Sequence, residues 1–349
     1  MSQIVINVGT LSSLGKLYFD IAPSLNDIRE AAKHREKPEV IWDFRFIEQK
    51  KMSMSALTAF LAIAKSISDY YKKPSPIILQ WDPYTLHFLS DISFFKNSKE
   101  LGILTWPDGM IGGFSEVNRL KTNTKIIYFD TIPNISYEKE KDINEWKEES
   151  RENFRNGFLV NFNDIFFDTI FREEWNDRLK YILSEIVSEL TGNALLHGKE
   201  TAFIGVQKSS RGITVCVCDG GIGFLESMKK TNKWILDLGI NTNIEALFYA
   251  SLMKEYDTGL KSVIEDVLES NGWVVMSSFD CEIRWEKYNW DNAKEEFDLK
   301  KYKTEKIDVR KILGQPLKGL ASSLEHSKGH YKIYKNIIKG VRITFEIPF

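Results

Sequence analysis

The sequence predicts an α/β protein built from two layered domains joined by a charged segment. Three observations lead there. Short apolar strands alternate with helix-period stretches over residues 1–130, the pattern of helices packed on a sheet. A second alternation, opened by a long helix and a hairpin, occupies residues 157–349. Between the two, residues 131–156 turn to Glu, Lys, Asn and Asp with little to bury, which reads as a linker or a solvated helix. At 349 residues the chain is long enough for each part to bury its own core.

The elements follow in order. Ile4–Val8 and Val40–Phe44 are rich in β-branched and aromatic residues and read as short buried strands. Leu57, Phe60, Leu61, Ala64 and Ile67 recur at helical spacing, so residues 55–70 form an amphipathic helix. Residues 76–80 supply a third strand around Ile77, Ile78 and Leu79, and residues 91–101 a further helix, capped near Asp91 or Ser93 and ending before Gly102.

In the second part, residues 175–197 read as one helix whose apolar stripe is Leu179, Ile182, Leu183, Ile186, Leu190 and Leu195. Residues 201–207 and 212–218 make a hairpin around the turn Ser209-Ser-Arg-Gly212. Helices over 244–254 and 258–270 follow, the second stopped by Asn271-Gly272. Residues 273–277 and 341–347 are strands, and the polar stretch 284–335 between them reads as an insertion.

Composition excludes several classes. A net charge near −2 offers no electrostatic basis for bulk nucleic-acid binding. Cys216, Cys218 and Cys281 are too few for a disulfide framework, and Cys216 and Cys218 sit in an apolar strand as core thiols. No apolar run approaches the ~18 residues of a membrane span. These features set the expectation of a cytoplasmic protein with no membrane partner.

Two runs carry chemistry. Glu189, Asn193 and His197 are spaced i, i+4, i+8 and share one face of the long helix. A polar stripe in an apolar helix costs free energy unless something satisfies it. Mg²⁺ with phosphate oxygens would do so, with the Asn193 oxygen as a ligand and Glu189 as a proton acceptor. Asp219 follows directly on the strand 213–218, where its carboxylate can accept a hydrogen bond from an exocyclic amine. Gly221 and Gly223 lack Cβ atoms, so a flat base can approach the backbone. Thr258-Gly259 opens a helix whose N–H groups can hold phosphate oxygens.

Glu189-x-x-x-Asn193-Ala-x-x-His197-Gly198, then Asp219-x-Gly221-x-Gly223, then Gly259-Leu-x-x-Val263 resembles the GHKL (Bergerat-fold, histidine-kinase-like) superfamily of ATPases. The resemblance covers about residues 160–349. It implies a mixed sheet layered on helices, with ATP and Mg²⁺ bound beside a lid that would fall within 224–257. By that likeness Glu189 is the catalytic base and Asn193 the Mg²⁺ ligand. Asp219 reads adenine, Gly221 and Gly223 line it, and His197, Thr258 and Gly259 complete the nucleotide site. Lys229, Lys230 and Lys233 read first as a solvated charge run, with phosphate contact as the alternative. Two positions depart from the family pattern: only one clear glycine, Gly259, stands on the phosphate side, and the last strand begins Gly340-Val341 in place of Gly-Thr.

Asn-Ala-x-x-His-Gly resembles the histidine-kinase and anti-sigma-factor serine-kinase branch. Residues 343–349 read as the final sheet strand, which sets the expectation of no transducer domain behind them. The upstream histidines, His34 and His87, lack the acidic neighbour and helical hairpin of a histidine-kinase phosphoacceptor. Residues 1–130 resemble a STAS domain: a strand ending Trp42-Asp43-Phe44, a loop, then Ser53-Met-Ser55 opening a helix. That likeness implies a phosphorylatable serine, Ser55 first and Ser53 next, although helix-start serines are also ordinary N-caps. The expected function is Mg-ATP hydrolysis or phosphoryl transfer to a protein partner in partner-switching regulation, in a chain that can dimerise. The alternative is a nucleotide-gated interaction module, serving signalling, antiviral or toxin control, with little or no turnover.

Overall fold

A computed structural model describes residues 2–47, 51–80, 82–107, 109, 123–129, 177–195, 200–231, 234–253, 259–297, 304–314 and 330–349. The expected linker, 131–156, lies outside them. The chain is an α/β protein with two sheets. The first is all-parallel in the order β1 (Gln3–Asn7), β2 (Glu39–Phe44), β3 (Ser75–Leu79), β4 (Leu104–Thr105). Between these strands run α1 (Leu14–Lys33), α2 (Met54–Tyr71), α3 (Pro83–Asp91) and α4 (Phe94–Glu100). Stepping from strand to strand in one direction puts successive crossovers on one face. Ile6, Val40, Trp42, Phe44, Ile77 and Leu79 are buried with the helices on that face.

The second sheet is antiparallel, in the order β5 (Thr124–Phe129), β6 (Ala202–Lys208), β7 (Gly212–Cys218), β9 (Tyr331–Pro348), β8 (Trp273–Trp285). Thr124–Phe129 thus closes the edge of this sheet by pairing with β6, although the sequence groups it with the first domain. The strands alternate strictly between two faces. Ile204, Val206, Ile213, Val215, Val217, Ile343 and Phe345 face one core. That core is covered by α5 (Asp177–Asn193), α6 (Gly223–Thr231), α7 (Trp234–Asp237), α8 (Asn243–Leu252) and α9 (Leu260–Glu269). Phe203, Cys216 and Cys218 face the other way, into the core shared with α1 and α2. The order is therefore sheet, helices, sheet, helices.

α2 is the shared layer. Ala56 through Ala64 are nine consecutive buried residues, more than two turns with no solvent side, so the helix is apolar all round and not amphipathic as its stripe suggests. The second face is built of small residues, and glycine accepts it: a Cβ at Gly205 would strike the Thr58 side chain, and one at Gly220 would strike Ser66. The hydroxyls this face buries are satisfied within the helix. Thr58 Oγ1 donates to the Met54 carbonyl at 2.7 Å and Ser66 Oγ to that of Ala62 at 3.1 Å.

Other elements differ in extent from the sequence pattern. α1 continues through Pro23, a residue that ordinarily ends a helix. The helix expected over 91–101 is α4, which opens after its N-cap Ser93 at φ +67° and ends before Gly102; the sequence pattern missed α3 before it. The stretch 284–335 is not irregular throughout: β8 reaches Trp285, and α10 (Lys287–Glu296) and α11 (Val309–Leu313) bury Trp290, Ala293, Val309 and Leu313 in the second core. Among the described residues no helix is long and apolar enough to cross a membrane.

The tight α2–sheet contact gives a test. Gly205→Ala places a methyl against Thr58 and should lower stability by about 1–3 kcal/mol. Thr58→Ala in the same chain should restore part of that loss, so that the two changes are non-additive in urea unfolding. Purely additive effects would place α2 away from β6.

Candidate functional site

α5 turns Leu183, Ile186, Val187 and Leu190 toward the antiparallel sheet, which leaves Glu189 and Asn193 at the margin of the packed face, each half-buried. The i, i+4 spacing brings them together as the sequence implies: Asn193 Nδ2 donates to Glu189 Oε1 at 3.1 Å. The amide hydrogens of Asn193 thus meet the carboxylate, and its oxygen is the atom with cation-binding chemistry. His197, the third member of the stripe, lies outside the described residues.

Asp219 is the first residue after β7. The odd-numbered residues before it, Ile213, Val215 and Val217, face the α5 side, and strand alternation sends Asp219 the same way. It is 4% exposed. Its Oδ1 accepts the Gly221 N–H at 2.7 Å and the Val341 N–H at 3.3 Å, while its own N–H donates to the Val341 carbonyl at 3.0 Å. Burial pushes the carboxyl up to about 6, against the Gly221 N–H, the Arg342 guanidinium and the Val341 N–H, which favour the ion.

Four glycines shape this corner; the sequence marks Gly221 and Gly223 as site residues and Gly340 as the start of the last strand, and gives Gly220 no role. Gly223 takes φ +73° with its Cα against the Phe279 ring, and Gly340 takes φ +100° against the Asp219 carbonyl; a side chain at either would be strained and would collide. Gly220 faces α2, and Gly221 supplies the N–H that holds the carboxylate. Phe279 has φ +55° where the β8–β9 register shifts, a bulge of the kind that re-aims side chains. Ser278 Oγ, beside it, accepts the Phe224 N–H at 3.3 Å. Val341 stands where the family pattern has threonine, and its contribution to Asp219 is made entirely by its backbone.

Arg342 was also missed. It is 1% exposed and donates to the carbonyls of Ile338 and Lys339. A lone arginine inside the alternating strand Val341-Arg-Ile-Thr-Phe was the available signal. The glycines carried one too: Gly340 directly precedes that alternation.

Gly259 is the N-cap of α9 with φ +135°. Among the described residues a Cβ there would meet nothing within 4 Å. Thr258 lies outside the described residues. The span expected to hold a lid is largely folded: Leu225, Met228, Ile235, Ile244, Leu247 and Leu252 of α6, α7 and α8 are core residues. Residues 232–233, Lys233 among them, and 254–257 of that span lie outside the described residues. Lys229 pairs with Glu226 at 3.2 Å, and Lys230 is exposed.

The fold therefore sets Asp219, Gly221, Gly223, Val341 and Phe279 together at one strand end. Glu189 and Asn193 stand together on the helix covering the same sheet face, and α9 packs against both α5 and β8. Among the described residues no three His, Cys, Asp or Glu side chains converge into a metal cage. A cavity of about 860 Å³ opens elsewhere, between α1 and the start of β9. Comparison with protein-family models, with curated proteins and with solved structures finds no match to the chain.

Asp219 fixes a pH dependence of stability. A carboxyl raised from 3.8 to about 6 on folding binds its proton more tightly in the native state. The native state is favoured at low pH and loses that advantage, ~3 kcal/mol at most, as pH rises through 6. Asp219→Asn keeps an acceptor oxygen and removes the charge. The variant should melt above the wild type at pH 7.5, with the gap closing by pH 4. A variant that melts lower at pH 7.5 would contradict the burial of an ionised Asp219.

Proposed function

We propose that the chain is a Mg-ATP-binding protein of the GHKL type, with a Bergerat-like antiparallel sheet behind a STAS-like N-terminal unit, and that it hydrolyses ATP or transfers its phosphoryl group to a protein partner. The observation that carries this reading is the buried Asp219 carboxylate. It is anchored by two backbone N–H groups at a strand end, on the sheet face that α5 covers with the paired Glu189 and Asn193. An acceptor so placed suits an exocyclic amine, and nearby glycines leave room for a flat ring.

The residues present fit the nucleotide and its ion. Asn193 would hold Mg²⁺ through its oxygen; the bound ion would neutralise phosphate charge. Glu189, drawn to Asn193 by the 3.1 Å hydrogen bond, would take the proton of the attacking water or hydroxyl. The N–H groups at Gly259 and the start of α9 would receive phosphate oxygens. Asp219 and Val341 would read the base, the second through its main chain alone.

The serines that open α2 are placed against transfer within one chain. Ser53 is the N-cap residue of α2 but makes no capping bond; its Oγ lies 2.8 Å from that of Ser55. α2 packs on the sheet face opposite α5. A phosphoryl group leaving the α5 side would have the sheet between it and Ser55. A phosphoacceptor on a second molecule, whether another copy or a separate protein, suits this arrangement.

One observation favours the alternative of a nucleotide-gated module with slow turnover. Gly220 adjoins Asp219 and packs on Ser66 and Ala62 of α2. A shift of the base-side turn on nucleotide binding would therefore reach the N-terminal unit directly.

The readings separate on two measurements. Mg-ATP titrated by calorimetry should bind the wild type, lose affinity in Asp219→Asn, and bind more weakly below pH 6, where protonation of Asp219 removes the ionised acceptor. Glu189→Ala should retain binding and slow phosphate release by about 10²–10⁴-fold. Unchanged release would remove Glu189 from the chemistry, and absence of ADP from a wild type that binds ATP would favour the module.

A further inference from the structure

We propose that the cavity between α1 and β9 is a second small-molecule site, built for a ligand that joins a heteroaromatic ring bearing N–H donors to a phosphate. Its volume of about 860 Å³ lies in the range of ligand pockets. It sits past the carboxyl end of β1, where Asn7 and Gly9 form its floor, the side of a parallel sheet on which ligands usually bind. β9 closes it with Lys332, Ile333 and Tyr334, so its walls come from both sheets.

The walls are aromatic and wet at the rim. Tyr18 and Tyr334 meet edge to face with centroids 4.9 Å apart. Phe19 and Phe46 line the same cavity yet remain 65% and 56% exposed. Large exposed aromatics gathered around one cavity mark a surface that a ring can cover. Two cations flank them: Lys16, 5.1 Å from the Phe19 centroid, and Lys332, 4.9 Å from that of Tyr334.

The polar groups left over define the ring's chemistry. Tyr18 is 3% exposed, with the Arg342 guanidinium 5.5 Å from its ring centroid. Asp20 Oδ1 holds Lys16, but its Oδ2 is buried, unpartnered and pressed against Gly9. Buried polar atoms without partners are costly and uncommon. Here that acid oxygen borders an aromatic cavity. A ring with an N–H donor would satisfy it while its phosphate meets the lysines.

The site does not depend on the nucleotide reading of Asp219, and the test keeps them apart. AMP, adenosine and ribose 5-phosphate are titrated by calorimetry into full-length Asp219→Asn, whose other site is impaired. AMP should bind at one site per chain, with adenosine and ribose 5-phosphate each at least about tenfold weaker, the effect of one lost charge-assisted contact. Lys332→Ala and Asp20→Asn should each weaken AMP by a similar factor. Unchanged circular dichroism and thermal melting of each variant check that its fold is kept. Absence of AMP binding, or AMP binding equal in all three chains, would overturn the proposal. Loss of ATP binding to the wild type with AMP binding retained would sink the Asp219 reading alone.

Discussion

Nine residues of α2, Ala56 to Ala64, are buried in succession, and the rest of the structure is arranged around that fact. A helix with no solvent side needs a partner on each flank. α2 has the parallel sheet on one, through Trp42, Phe44 and Phe60 in edge-to-face contact at 4.9 Å. It has the antiparallel sheet on the other, at Gly205 and Gly220. Full burial of Leu57, Phe60, Leu61 and Ile63 contributes about 1.5–3 kcal/mol per side chain, and neither sheet alone could supply it. The two halves of the chain therefore share a core, where the sequence suggests two domains with a core each.

That constraint also fixes what each face of the antiparallel sheet can do. With α1 and α2 on one face, α5 and the Asp219 side chain after β7 are confined to the other. The corner at Asp219 is braced from three directions: by β9 through Val341 and Gly340, by β8 through Phe279, and by α2 through Gly220. Its buried carboxylate is costly at neutral pH.

The parts of the site legible in the sequence were those with local spacing. Glu189 and Asn193 are one helical turn apart, and the strand-then-glycine pattern places Asp219 without any tertiary knowledge. Residues whose meaning depends on what approaches from elsewhere were not legible. Gly205, Gly220 and Gly340 look like ordinary glycines until α2 or the Asp219 carbonyl is placed against them. The small residues Thr58, Ala59 and Ala62 read as the neutral side of an amphipathic helix for the same reason. Pro23 hid α1, the pairing of Thr124–Phe129 with β6 spans a wide sequence gap, and the charges at Asp280, Glu282 and Arg284 concealed the length of β8. Glu282 is buried there because Tyr334 and Ser277 donate to it at 3.0 and 3.1 Å.

The shared core is most directly tested by native-state hydrogen exchange. The amides of Ala59–Ser68 should exchange with the same protection as those of β6 and β7, through one cooperative opening. Exchange of α2 through a separate, lower-energy opening while β6 and β7 stay protected would contradict the account, because it would mean that the antiparallel sheet stands without the helix.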